Sequence, residues 1–294
     1  MLHRYILHNG QIREASEKLL SAGQVGLLSG WGIFTTVKVI EGVLFAFERH
    51  WARMSRDAAL LHVPMPDDRE RIRAQLLELV GANHAANATM RIAVVRNRGG
   101  MWELPGPGRE FDFIALTADR KDWGSAVKLR YVPQGRHAAS PFAGTKVLSW
   151  AFNLTWLEQA QQDGFDEVIL LNERGEVAEC TSANIFAASG NQIWTPPLGS
   201  GCLPGVTREV LLSECRIPGF TLGERTLFPA DLEQAEEVFI TSTTRDLLTV
   251  KTIENRQVGS GATRVRDAAQ AAFSVYVRRY IQEHRRLQDA VDVP

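Results

Sequence analysis

The chain has 294 residues, 45% of them hydrophobic and 23% charged, an ordinary balance for a soluble globular protein with room for two domains. Its 33 basic residues stand against 34 acidic ones, so no overall field draws it to nucleic acid or to a membrane surface. No apolar run approaches the roughly 20 residues that span a bilayer, and the opening "MLHRYILHNGQ" has no signal-peptide core.

In chain order, "YILHNGQIREA" reads as two short strands around Asn9-Gly10, and "GIFTTVKVIEGVLFAF" repeats the device around Glu41-Gly42. A helix is predicted from Glu48 to Leu61, with Trp51, Met54, Ala58 and Leu61 on one stripe. A second, "DDRERIRAQLLELVG", starts acidic and is predicted to end at Gly81. The strands "ATMRIAVVRN" and "FDFIALTA" enclose "RGGMWELPGPGRE", a Gly- and Pro-rich loop suited to lie over a site. Polar residues 119–125 mark the best domain boundary, which gives a small domain over 1–120 and a larger one over 125–294. The second half opens with the strand "VKLRYVP" and a helix predicted from Val147 to Asp163. A meander of strands follows over "DEVILLNERGEVAECTSANIFAASGNQIWTP", then the helix "GVTREVLLSEC". A strand, a short helix at "PADLEQAE", the strand "EVFITST" and a long final helix complete the chain. Hairpins and meanders outnumber strand-helix-strand units, so the class is α+β.

Cys180, Cys202 and Cys215 show no metal-like pairing, and an odd number makes no disulfide framework, which points to a reduced, cytoplasmic setting. The histidines are scattered without ligand spacing, so no metal is expected. The informative residue is Lys146, in "SPFAGTKVLSWAFN". The chain has six lysines against 27 arginines, and this one sits among small and apolar neighbours. A neutral lysine attacks a carbonyl and forms a Schiff base; arginine, protonated at any working pH, does not. The alternative is a lysine whose stem lies on apolar surface while its ammonium reaches water. Alternation puts Glu179 on the same strand face as Val177, where a carboxylate needs a partner. "LPGVTRE" is a glycine turn into a helix start, where the N–H groups of Val206 and Thr207 suit a phosphate, although Thr207 is equally a plain N-cap.

"GTK" before a helix, then "ERGEVAECTSANIF" and "LPGVTRE" in this order, resembles the class IV aminotransferase family of fold type IV pyridoxal-phosphate enzymes. That family contains branched-chain and D-amino-acid aminotransferases and aminodeoxychorismate lyase. The resemblance runs from "GIFTTVKVIEG" to "EVFITST" and implies a small α/β N-terminal domain with a larger pseudo-barrel C-terminal domain. It implies pyridoxal 5′-phosphate on Lys146, which also shuttles the proton, with Glu179 facing the pyridine nitrogen. The phosphate falls to Arg53, Val206, Thr207 and Thr243. On the substrate side Arg91 matches a site-lining arginine of the branched-chain enzymes, with Phe34, Arg98 and Thr244 beside it and Trp102 and Trp150 as possible walls. Ser29, Thr89 and Ala151 stand where those enzymes carry tyrosines. The resemblance implies a homodimer that moves an amino group from a small-molecule donor to a keto acid. The alternatives are an aminodeoxychorismate lyase and a non-catalytic paralogue binding a phosphorylated ligand.

Overall fold

Asn9 and Gly10 both take positive φ, 49° and 79°, as a two-residue hairpin loop needs, and join β1 (Leu2–His8) to β2 (Gln11–Glu14). The computed structural model describes residues 1–21, 23–100 and 108–291, and they fall into two units. After a short α1 (Val25–Ser29), the first unit contains β3 (Gly32–Ile40), β4 (Val43–Leu44), α2 (Phe47–Leu60), α3 (Arg69–Ala82), β5 (Ala88–Arg96) and β6 (Phe111–Ala118). Its strands pair antiparallel in the order β2-β1-β6-β5-β3-β4.

The register of β3 on β5 decides what lies on each face of that sheet. Phe34 pairs with Ala93 and Thr36 with Arg91, so these four share one face. Ile33, Val37, Ile92 and Val94 occupy the other and join Met54 and Ala58 of α2 and Leu76 of α3 in the core, with Trp51 and Leu61 packed against it. Asp68 caps α3 by accepting from the Arg71 N–H at 2.9 Å. That helix does not stop at Gly81 as predicted. It runs to Ala82 and is capped by Asn83, because the left-handed residue is His84 (φ 49°) rather than the glycine.

The second unit contains β7 (Ala126–Val132), α4 (Ala151–Gln162), β8 (Glu167–Leu171), β9 (Val177–Cys180), β10 (Asn184–Ser189), β11 (Gln192–Thr195), α5 (Val206–Glu214), β12 (Thr221–Glu224), α6 (Pro229–Glu233), β13 (Glu237–Ser242), β14 (Asp246–Ile253), β15 (Arg256–Gln257) and the start of α7 (Arg264–Val291). Its nine strands form one sheet, in which β14 pairs antiparallel with β13 and parallel with β7. The sequence reading had no strand at β14. The fold class stands as a mixture of helices and curled sheets.

Two pieces beyond residue 125 belong to the first unit: Lys146–Trp150 and the chain from Arg279 onward. The first explains why α4 begins at Ala151 and not at Val147. Phe34 donates its N–H to the Lys146 carbonyl at 3.0 Å, Val147 bridges Ile33, and Leu148 donates to Gly32 at 3.0 Å. Backbone groups held this way along β3 are extended and cannot enter a helix. In the second piece Tyr280 donates its hydroxyl to Glu48 at 2.6 Å, with its ring against Phe45. Among the described residues no helix is long and apolar enough to cross a membrane.

Candidate active site

Lys146 is positioned through its backbone. Its carbonyl is taken by β3, and its N–H donates to Asp57 Oδ2 of α2 at 3.0 Å. The half-buried side chain then carries Nζ to 4.5 Å from the centre of the Phe34 ring. Arg91 brings its guanidinium to 3.9 Å from the same ring, and Trp150 meets it edge-on. Burial lowers the pKa of Arg91, which reaches no carboxylate among the described residues. Three polar residues, His50, Arg53 and Asp57, lie on the buried stripe of α2 among Phe47, Met54 and Ala58. Arg53 donates to the Thr35 hydroxyl of β3 at 2.8 Å. Arg98 is exposed and its carbonyl accepts from Arg96, while Trp102 lies outside the described residues.

In the second unit Glu179 is 5% exposed on β9. Its expected partner was a pyridinium; the chain itself supplies Arg136, which donates from Nε at 3.1 Å and from Nη2 at 2.8 Å, both to Oε1. The other carboxylate oxygen accepts no hydrogen bond among the described residues. Asn153 of α4 joins this group, donating to the Thr181 carbonyl at 2.7 Å. Val206 and Thr207 are buried at the start of α5, but Thr207 is not its N-cap. The cap is Gly205, which offers no side chain to the first helical N–H groups. A Cβ there would stand 2.0 Å from Asn184 Oδ1, so the approach requires glycine. Thr243 and Thr244 are half-buried in the turn after β13, close in sequence to Thr241, whose buried hydroxyl has no hydrogen-bond partner among the described residues. Cys180 is fully buried, which raises its thiol pKa well above the ordinary value and suits packing rather than chemistry.

Residues 32–253 match the family model for amino-transferase class IV. The chain belongs to the class IV aminotransferase family. It is 29% identical over 261 residues to the D-alanine aminotransferase of Bacillus licheniformis, covering 87% of this chain and 91% of that one. Its fold matches the branched-chain amino acid aminotransferase of Escherichia coli with a TM-score of 0.85 at 21% identity, covering 94% and 95% of the two chains. A hypothetical aminotransferase from Mycobacterium tuberculosis, in a PLP-bound form, matches with a TM-score of 0.82 at 23% identity, covering 93% and 98%. Class IV aminotransferases use pyridoxal 5′-phosphate. This chain is therefore an aminotransferase of that family, and its relatives include proteins named as D-alanine and branched-chain-amino-acid aminotransferases.

Several residues of this aminotransferase escaped the sequence reading: Thr35, His50, Asp57, Arg136, Glu167 and Arg245. Glu167 is 0% exposed and accepts from the Thr181 N–H and hydroxyl and from the Ser182 hydroxyl. Arg245 pairs with it at 3.5 Å and lies over the Trp123 ring. This buried pair ties the turn bearing Thr243 to the hairpin that follows Glu179. One signal was available on α2, where His50, Arg53 and Asp57 recur at helical spacing on an otherwise apolar stripe.

Proposed function

We propose that this aminotransferase binds pyridoxal 5′-phosphate on Lys146 and moves an amino group between an amino acid and a keto acid. The observation that carries the reading is the clamped backbone of Lys146, with its amine against Phe34 and the Arg91 guanidinium on the same ring. The other residues also suit the cofactor. The uncapped start of α5 offers N–H groups to a phosphate, with Val206, Thr207, Thr243 and Arg53 as its holders. Glu179 keeps one carboxylate oxygen for the ring nitrogen, since Arg136 engages only Oε1.

When bound, the cofactor supplies an aldehyde that condenses with amines and a ring that accepts electrons. Lys146 Nζ holds the cofactor until the donor displaces it, then takes the proton from the donor's Cα. Glu179 keeps the ring nitrogen protonated. Arg91 receives the substrate carboxylate, Phe34 orients the amine, and Thr244 lines the substrate side. The protein works as a cytoplasmic homodimer in this reading. Phe142, Phe152, Leu154 and Trp156 are exposed around the start of α4, as a subunit contact needs, and the three cysteines form no disulfide.

The test is the visible spectrum of cofactor-loaded protein before and after single D- or L-amino donors, with no acceptor present. A donor that removes the visible band establishes transamination and its hand. A band unchanged by every donor overturns it in favour of the lyase, with aminodeoxychorismate as the next substrate.

A further inference from the structure

His50 is 1% exposed, in the first turn of α2, and takes no part in the chemistry assigned above. Its Nδ1 lies 2.8 Å from the Thr35 hydroxyl oxygen, which also lies 2.8 Å from Arg53 Nη2. Thr35 is 0% exposed and Arg53 8%, so water has little access to this chain of three groups. A guanidinium only donates, so the Thr35 oxygen accepts from Arg53. Among the described residues the hydroxyl proton meets no other acceptor, so it goes to His50 Nδ1, which then carries no proton of its own. A neutral ring in that state carries its proton on Nε2, a buried atom with no hydrogen-bond partner among the described residues.

A charged ring is opposed from several sides. Burial holds the His50 pKa well below the ordinary value, and the charges of Arg53 and Lys146 press it the same way. Leaving a buried N–H unmet is costly, typically about 1–3 kcal/mol. The arrangement accepts that cost and keeps Nδ1 as an acceptor for Thr35. Because His50 and Arg53 are three residues apart on one helical face, the link closes a ring through β3 that fixes the guanidinium in one orientation.

We propose that His50 and Thr35 are positioning residues: as a neutral Nε2–H tautomer, His50 orients the Thr35 hydroxyl, which holds Arg53 ready for the phosphate of pyridoxal 5′-phosphate. The proposal rests on the reading of Arg53 as a phosphate holder, and the test separates the two. Dissociation constants are measured for pyridoxal 5′-phosphate and for pyridoxal, which lacks the phosphate. His50→Gln moves the acceptor away from the Nδ1 position, whereas His50→Asn leaves one there. His50→Gln and Thr35→Val should weaken pyridoxal 5′-phosphate by about tenfold or more and leave pyridoxal unchanged. The double variant should be no weaker than either single one, and His50→Asn and Thr35→Ser should restore most of the loss.

Equal weakening of both ligands by His50→Gln and Thr35→Val would reduce the pair to ordinary packing and overturn the proposal. If Arg53→Met weakens only pyridoxal 5′-phosphate while His50→Gln and Thr35→Val do nothing, the phosphate reading stands and the positioning role falls. If Arg53→Met itself leaves pyridoxal 5′-phosphate binding intact, the phosphate reading falls first. Should the variants not fold, nitrogen-15 NMR of histidine-labelled wild-type holoenzyme decides the tautomer. Nδ1 must stay unprotonated from pH 6 to 8; a protonated Nδ1 overturns the proposal.

Discussion

In the first unit Lys146 and Arg91 bring an amine and a guanidinium to one phenyl ring, and Arg91 reaches no carboxylate among the described residues. In the second unit two buried carboxylates are already answered: Glu179 by Arg136, and Glu167 by Arg245 with two hydroxyls and two backbone N–H groups. A partly desolvated guanidinium with no counter-charge is unfavourable for folding, and it becomes favourable when a ligand brings the missing anion. A carboxylate fixed by arginine has given up that freedom and gained a set position. The first region therefore reads as one that waits for a substrate, and the second as one that holds a group of fixed geometry.

The largest break in that comparison comes from Lys146→Ala. Turnover of the cofactor-replete variant should fall by more than about 1,000-fold, since both nucleophile and proton carrier are gone. Single-turnover absorbance with a reactive donor measures it, and substantial residual turnover would sink the mechanism. Arg136→Met comes next and acts on stability. It strands Glu179, 5% exposed, as a buried charge, so urea unfolding of the apoprotein should lose about 3 kcal/mol. A loss below 1 kcal/mol would mean that the pair is not what holds Glu179.

Arg91→Met sharpens the contrast from the other side. Removing a guanidinium that reaches no carboxylate among the described residues should leave stability unchanged or slightly improved. The KM for carboxylate donors should nevertheless rise by roughly 30-fold, with kcat changed far less. The reverse pattern, a large loss of stability with KM intact, would assign Arg91 to the structure instead of the substrate.

How much of this was readable in the sequence depended on whether the signal was local. Both tight turns were, because Asn9, Gly10 and Gly42 are residue types that tolerate the positive φ they take. The motifs around Lys146, Glu179 and Thr207 were readable through the family resemblance. Alternation along β9 brought no partner into view for Glu179, since Arg136 lies on a loop 43 residues earlier in the chain. The strand β14 was hidden because "DLLTVKTI" follows "TSTTR" without a helix or long loop, and only its pairing with β7, far back in sequence, reveals its central place. The onset of α4 was misplaced for a related reason. "VLSW" is compatible with helix by composition, and the competing backbone partners on β3 are over a hundred residues away.

Glu176 offers the mildest test of the principle that carboxylates in the second unit come already paired. It lies just before β9, half-buried, and accepts from Arg174, Asn172 and Ser200. These contacts, the Arg174 hydrogen bond first, pull its pKa from 4.5 down to about 2. A pKa depressed on folding contributes stability that is fully present above the unfolded value and is lost as pH falls through the folded one. Glu176→Gln should therefore cost about 1 kcal/mol at neutral pH. That difference should stay flat down to about pH 5 and shrink between pH 4.5 and 2, because only the wild-type side chain takes up a proton there. Paired thermal melts across that window measure it. A difference independent of pH would show that Glu176 contributes through shape alone.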